Sequence, residues 1–415
     1  MTSPIWHPFT QHALFPTMRP VVSAEGAWLI DAEGTRLFDA ISSWWVVTHG
    51  HCHPHIVQAI QGQAGRLDQV IFAGYTHGPA ERFAAALLRR LPQGLTRMFF
   101  SDSGSTAVEV GIKMALGHFR HRGAARARIA VMQHGYHGDT VGTMSVGERG
   151  HFSQPYDPLL FAVDRLPFPY PGAEQTTLDA FEALARRGDM AALVVEPLVL
   201  GAGGMLFYPA QVLAGLAAIC ARYGVLVIAD EVMTGWGRTG TFLACEQAGV
   251  VPDILCLSKG ITGGSLPLAV TCCREEIFAS HWSHDLKRTF FHSSSYTANP
   301  IACAAAAANL ELWDNEPVQQ RIDAVAAVQA EGRRRLEAHP KITGARALGT
   351  ILAAEIGGGG YLSSLGPDLL RFFAARNLLI RPLGNTVYLL PPYCSTPTEL
   401  RICHDAILEA ADVFG

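Results

Sequence analysis

The sequence predicts an α/β protein with a mainly parallel central sheet, and three observations carry that expectation. Between about residues 96 and 273 short apolar runs alternate with helix-length segments. The runs are continuously apolar rather than alternating, as strands covered on both faces require. The segments between them are long enough for crossover helices, which parallel neighbours need.

In chain order the strands are TRMFF, RIAVM, AALVV, GVLVIAD, ILCL and PLAVTC, with Thr106–Arg120 and Gln211–Tyr223 reading as helices between them. After the turn FFHSSSYTANP comes the run IACAAAAANLELW, whose alanine content favours a helix. The remainder is helix-rich and ends in the strand-like VYLLPP, forming a second, smaller α+β unit that the N-terminal residues are expected to join. The expected division is residues 1–50 with the small unit, 51–300 as the large domain and 301–415 as the small domain.

Composition narrows the function classes. The chain has 415 residues, 49% hydrophobic and 16% charged, an ordinary balance for a folded soluble protein. A net charge of −4 without a basic run argues against nucleic acid and anionic membranes as partners, leaving small molecules. Nine cysteines without a CxxC pair, several of them in apolar surroundings, read as buried thiols of a cytoplasmic protein. The start MTSPIWHPFTQH has neither a basic cluster nor an apolar core, so export is not expected. Pro197 to Ala221 is free of Asp, Glu, Lys and Arg, but its prolines and glycines point to a loop followed by a buried helix rather than a membrane span.

Lys259 stands out. It is one of four lysines, at 113, 259, 287 and 341, and lies between ILCL and the glycine-rich ITGG. A lysine kept from water has its ammonium form disfavoured and becomes nucleophilic near neutrality. GVLVIADEV places Asp230 at a strand end 29 residues earlier. Apolar residues followed by DE also occur at the magnesium strand of P-loop enzymes, but the chain lacks GxxxxGK[ST]. An imine-forming lysine with an aspartate that can keep a pyridine nitrogen protonated describes pyridoxal 5′-phosphate chemistry instead.

A phosphate cofactor needs an anion site. SDSGSTAVEV follows a strand and opens a helix near Ser105, where free amides and the helix dipole favour a dianion and Gly104 permits close approach. Serine also serves simply as a helix cap. HGYHGDT puts Tyr136 at another strand end, placed to stack on a planar ring. Its two histidines and aspartate lack a common zinc-site spacing, so no metal is expected, and the HGHCH cluster at 49–53 reads as a turn leading into a helix.

Together SDSGSTAVEV, HGYHGDT, EPLVLGAGGM, ADEVMTGWGRTG, LSKGITGG and SYTANPIACAAA resemble, in family order and across nearly the whole chain, the class III aminotransferases of fold-type I, which use pyridoxal phosphate. The segments IWHPFTQH, SSWWVVTHGHCHP and IRPLGNTVYLLPPY are most similar to the branch that converts 8-amino-7-oxononanoate to 7,8-diaminononanoate in biotin synthesis. The resemblance implies Lys259 as the lysine bonded to the cofactor, Asp230 on the pyridinium nitrogen, Gly104 and Ser105 on the phosphate, and Tyr136 near ring and substrate. It further implies Trp44 along the acyl-chain channel, Arg381 on the oxo-acid carboxylate, and Phe9 and Ser293 at the substrate. Ser294 and Ser295 match the position where a neighbouring subunit completes the phosphate site, so a homodimer with shared active sites is expected.

Three positions depart from the pattern. HSSS replaces HGxT, so Ser293 stands for glycine and Ser295 for threonine; Leu200 stands for glutamine; Phe9 stands for tyrosine. A hydroxyl remains for phosphate at 295, whereas Leu200, expected near the cofactor, and Phe9 bear on substrates. S-adenosylmethionine is the expected amino donor, with lysine as the competing one. Two other functions stay open on sequence: an ω-amino acid aminotransferase of the 4-aminobutyrate or ornithine type, and a non-catalytic pyridoxal-phosphate-binding regulator.

Overall fold

A computed structural model describes residues 4–150 and 152–415, so the first three residues of the N-terminal segment lie outside the described residues. Strands β1 (Val21–Glu25), β2 (Trp28–Asp31) and β3 (Arg36–Asp39) form an antiparallel meander. There follow β4 (Leu95–Ser101), β5 (Arg128–Met132), β6 (Asp164–Leu166), β7 (Met190–Val195), the short hairpin β8 (Val199–Leu200) and β9 (Leu206–Phe207), then β10 (Leu226–Asp230), β11 (Ile254–Leu257) and β12 (Ala269–Arg274). The last strands are β13 (Ile342–Leu348), β14 (Ile351–Ile356), β15 (Leu378–Leu379) and β16 (Thr386–Leu389).

The central sheet has seven strands in the order β4-β12-β11-β10-β7-β5-β6. All run parallel except β12, which is antiparallel to both β4 and β11. Every residue of β7, β10 and β11 is buried, the state that their uninterrupted apolar sequence demands. One face is covered by the helix Gly104–His121, whose Val108, Ile112 and Ala115 pack with Ile228 and Ile254; the other is covered by Glu174–Ala185 and Ala210–Tyr223. The six sequence-read strands are all present. Strand β6 went unread because three residues hold no pattern, and the single reversed strand β12 is as apolar as its parallel neighbours, so its direction left no mark.

Pro197 to Ala221 does form a loop, here the β8–β9 hairpin, and then the helix Ala210–Tyr223. Among the described residues no helix is long and apolar enough to cross a membrane. HGHCH forms the approach to the helix Pro54–Ala64, with His53 as its N-cap residue and proline in the first turn. The alanine-rich run is the helix Pro300–Asn315; its N-terminus is capped by the Asn299 side chain, and Ala302, Cys303 and Ala306 join the main core. Small side chains let this helix lie close to its neighbours.

Two smaller sheets flank the large one. Strand β15, near the C-terminal end, pairs in parallel with β3, so chain segments about 340 residues apart complete one sheet. Strands β13, β14 and β16 form the other sheet and share a core with the helices Val318–Glu337 and Pro397–Phe414. The cysteines at 220, 245, 256, 272, 273, 303 and 403 are buried thiols, while Cys52 is exposed and Cys394 partly so.

Candidate active site

The carboxyl ends of the parallel strands converge on one cleft floor. Asp230 ends β10, Glu196 directly follows β7, Tyr136 and His137 lie just past β5, Ser103 to Ser105 follow β4, and Lys259 follows β11. Parallel strands deliver their ends to one edge of the sheet, which is why residues from Ser103 to Lys259 meet there.

Asp230 is 4% exposed, and each of its carboxylate oxygens has one hydrogen-bond partner. Its Oδ2 lies 2.7 Å from His137 Nδ1, and its Oδ1 accepts from the Val232 amide at 3.1 Å. Burial alone would push the His137 pKa down, but the bond and charge of Asp230, with the charge of Glu196, outweigh it and raise it. Glu196 is buried as well, accepting from the amides of Tyr136 at 2.9 Å and Gly201 at 3.0 Å. Burial pushes its pKa up to about 7, assisted by Asp230 and opposed by His137.

Lys259 adopts φ +45°, uncommon for a side chain with a Cβ. Burial lowers its pKa, against the opposing charges of Asp230 and Glu196. Its Nζ stands 5.2 Å from the centroid of the Trp45 ring. The turn behind it is held from below: Asn309 Nδ2 donates to the carbonyls of Gly260 and Ile261, both at 3.1 Å, and Asn309 Oδ1 lies 2.9 Å from buried His49 Nε2. Burial, helped by the charge of His53, pulls His49 down to about 4, so it is neutral near pH 7.

The anion turn is built by a division of labour. Ser103 and Thr106 form a capping box, each side chain bonded to the other's amide. As first-turn groups, the amides of Gly104 and Ser105 have no carbonyl within the helix to bond, and they face outward at its positive end. Two glycines are required by close approach. A Cβ on Gly104 would lie 2.7 Å from Val232 Cγ1, and one on Gly138, at φ +133°, would lie 2.0 Å from Ser105 Oγ. Tyr136 keeps its phenolic proton: burial first, then the charge and hydrogen bond of Asp139, raise its pKa.

The mouth of the cleft is assembled from loops. Trp44 is 43% exposed and Phe9 is 50% exposed, with ring centroids 5.7 Å apart in an edge-on contact. Arg381 lies 5.8 Å from the Trp44 centroid and donates from Nη2 to the Phe9 carbonyl at 2.6 Å. Phe152 extends the wall, 6.1 Å from Phe9 and 4.7 Å from Tyr361. The result is an apolar wall ending in one guanidinium.

Other sequence-read positions fall elsewhere. Ser294 donates to Asp102 Oδ2 at 2.8 Å, on the flank of the anion turn of its own chain, while Ser293 and Ser295 are exposed. Leu200, expected near the cofactor, is 1% exposed in the main core and directly precedes Gly201, whose amide bonds Glu196. Of the two histidines of HGYHGDT, His137 serves Asp230 and His134 lies 3.3 Å from the Tyr170 hydroxyl. Two cavities, of about 580 and 410 Å³, lie away from the cleft.

Glu196, His137 as partner of Asp230, and Arg238 were missed as site-building residues. An acid placed directly after the apolar AALVV was the available signal for Glu196. Arg238 left none: buried at 1%, it donates to the carbonyls of Pro391 and Val47, both at 2.9 Å, and of Trp45 at 3.4 Å.

Comparison with known proteins agrees with this geometry. An adenosylmethionine-8-amino-7-oxononanoate aminotransferase of Synechococcus elongatus is 49% identical over 419 residues, covering 98% of each chain. Its namesake in Nitratidesulfovibrio vulgaris is 40% identical, over 95% of this chain and 78% of that one. Among solved structures, the enzyme of that name from Methanocaldococcus jannaschii superposes with a TM-score of 0.94 at 32% identity, covering 99% and 97% of the two chains. An amine transaminase from an uncultivated Pseudomonas species, solved in its PLP-bound form, gives 0.92 at 29% identity over 100% and 99%. Residues 10–411 match the aminotransferase class-III family, and with a lysine, a buried aspartate and an open helix end gathered at one sheet edge, the chain belongs to that family.

Proposed function

We propose that the chain is a pyridoxal-phosphate-dependent aminotransferase that converts 8-amino-7-oxononanoate to 7,8-diaminononanoate, a step of biotin synthesis, with S-adenosylmethionine as donor. The observation that carries the reading is the joining of an apolar aromatic wall and a single guanidinium to a floor of lysine and buried aspartate. A nine-carbon oxo acid needs such a wall for its chain and a planar cation for its far carboxylate.

The floor fits the cofactor. Asp230, bonded to His137, is oriented to hold a proton on a ring nitrogen, and the amides of Gly104 and Ser105 suit a phosphate. When bound, pyridoxal phosphate supplies the electron sink that stabilises negative charge at the substrate carbon. Lys259, whose pKa burial lowers, provides the amine that holds the cofactor and moves the proton at the substrate carbon. Tyr136, as a neutral phenol, presents a donor beside the ring. Arg381 pairs with the acceptor carboxylate, Trp44 flanks its chain, and Phe9 offers an aromatic face to donor and acceptor in turn.

A homodimer with shared sites accompanies this reading. Ile71, Tyr75, Phe291 and Tyr296 are all at least 65% exposed, and the loops that carry them are tied together by the Gln69 side chain donating to the Ser295 carbonyl at 2.6 Å. A second copy seated there would cover this apolar surface and bring Ser293 to Ser295 to the neighbouring cleft. A cytoplasmic location belongs to the same proposal.

The test is amination of 8-amino-7-oxononanoate by the purified protein, with S-adenosylmethionine, lysine, 4-aminobutyrate and ornithine compared as donors. Turnover with S-adenosylmethionine and ping-pong kinetics is the expected result. Turnover with lysine alone would change the donor and keep the reaction; turnover with 4-aminobutyrate or ornithine and a 2-oxo acid, without the nine-carbon acceptor, would replace the reading. A protein inert with all of them would be the regulator.

A further inference from the structure

The turn that carries the tandem tryptophans is built against its own backbone preferences. Ser42, Ser43 and Trp45 have φ of +54°, +59° and +68°, and Ser43 combines its φ with ψ −88°. None is a glycine, and left-handed backbone is disfavoured for any residue with a Cβ. Something must hold them. Asp39, 0% exposed at the end of β3, accepts from the Ser43 amide at 2.6 and 2.8 Å, the Ser43 hydroxyl at 3.1 Å and the Ile41 amide at 3.3 Å. His51 Nε2 completes its shell at 2.8 Å.

The turn is also pinned to the segment around β16. Ser42 Oγ donates to the Leu390 carbonyl at 2.7 Å, and Trp45 Nε1 donates to the Tyr388 hydroxyl at 2.9 Å. Neighbouring indoles are thereby sent to opposite sides. Trp45, 5% exposed, lies beneath Lys259 Nζ, whereas Trp44 faces the cleft mouth beside Phe9 and Arg381.

We infer that Asp39 is a positioning residue for acceptor recognition: its buried carboxylate holds the strained Ser42–Trp45 turn so that Trp44 forms the wall next to Arg381. The inference rests on the acceptor assignment above and deepens it. Asp39 acts on acceptor recognition through the turn, and its 2.8 Å contact with His51 Nε2 is a second, structural role. The strain separates the two roles. If Asp39 holds a disfavoured backbone, removing the disfavour at Ser43 must compensate for losing Asp39.

The experiment compares the cofactor-loaded wild type, Asp39→Asn and Asp39→Asn/Ser43→Gly, following donor and acceptor half-reactions separately. Asp39→Asn is expected to raise the acceptor KM about tenfold while the donor KM stays within about twofold. It should also alter the near-ultraviolet circular dichroism of the indoles. The double variant, whose glycine adopts positive φ freely, should recover about threefold of that loss and regain indole signal. Equal losses in both half-reactions, or no recovery in the double variant, would overturn the inference. Where Asp39→Asn yields no folded protein, Asp39→Asn/Ser43→Gly carries the test: recovered folding supports the role, and a double variant that also fails to fold overturns it. A wild type inactive on 8-amino-7-oxononanoate would sink the functional reading, and the dichroism of the same variants would then decide Asp39 alone.

Discussion

Asp230, Glu196, His137 and Lys259 each lie at or just past the carboxyl end of a strand in one sheet, whereas Phe9, Trp44, Phe152, Tyr361 and Arg381 arrive at the mouth of the same cleft from five separate segments outside it. The floor is buried, and each oxygen of Asp230 and Glu196 takes one hydrogen bond at 2.7–3.1 Å. The mouth is partly exposed and held mainly by ring contacts and one arginine-to-carbonyl bond. A rigid sheet edge suits groups that must hold charges and protons in place, since small displacements there are costly. Loops suit a wall that meets two unlike substrates in turn. Substitutions in the floor should therefore damage the chemistry of both substrates, and substitutions at the mouth should sort one substrate from the other.

The sharpest break would come at Lys259. Lys259→Ala is expected to lower turnover about a thousandfold or more in both half-reactions. Borohydride reduction of the loaded wild type followed by peptide mapping should label Lys259, and a label on another lysine would remove it from the floor. Asp230→Asn should keep the fold and cost about a hundredfold or more, again in both halves, because a charge-assisted bond is lost where negative charge develops. Thermal unfolding alongside turnover checks this; near-normal turnover would show that Asp230 is merely a buried acid.

The floor should also weaken in acid through His49, which braces the Lys259 turn by way of Asn309. Its folded pKa, about 4, lies below the ordinary 6.5. Stability is thus fully present above pH 6.5 and falls as the pH drops towards 4, by about 3 kcal/mol over that window. Urea unfolding midpoints measured from pH 7 to pH 4 should show this slope, and His49→Gln should flatten it. An unchanged slope in the variant would detach His49 from the acid sensitivity of the floor.

At the mouth, Arg381→Ala should raise the acceptor KM about ten- to a hundredfold, the worth of a charged hydrogen bond of roughly 1.5–3 kcal/mol. The donor KM should move far less, and equal effects in the two half-reactions would erase the distinction between floor and mouth. The smallest effect is expected at Phe9, whose ring already packs edge-on against Trp44. Phe9→Tyr should change kcat/KM for S-adenosylmethionine by less than about tenfold, since it adds one hydroxyl contact to an existing aromatic face. Donor kinetics with S-adenosylmethionine and lysine, side by side, measure whether that hydroxyl bears on donor choice.

The amino-acid sequence by itself marked part of the floor. Apolar runs such as ILCL and GVLVIAD mark buried strands because burial on both faces demands them, and in a parallel sheet whatever follows such a run is delivered to one edge. Lys259, Asp230, Tyr136 and the SGST turn were legible for that reason alone, and the resemblance to class III aminotransferases added Trp44 and Arg381. Tertiary structure alone decided the rest. The reversal of β12 and the pairing of β3 with β15 depend on contacts between distant segments, which no local pattern encodes. That His137 bonds Asp230, that Arg238 ties three carbonyls together, and that Asp39 restrains a left-handed turn are likewise facts of approach in space. Sequence periodicity reports which face of an element is buried; which polar group meets which across the fold is settled only when the elements pack.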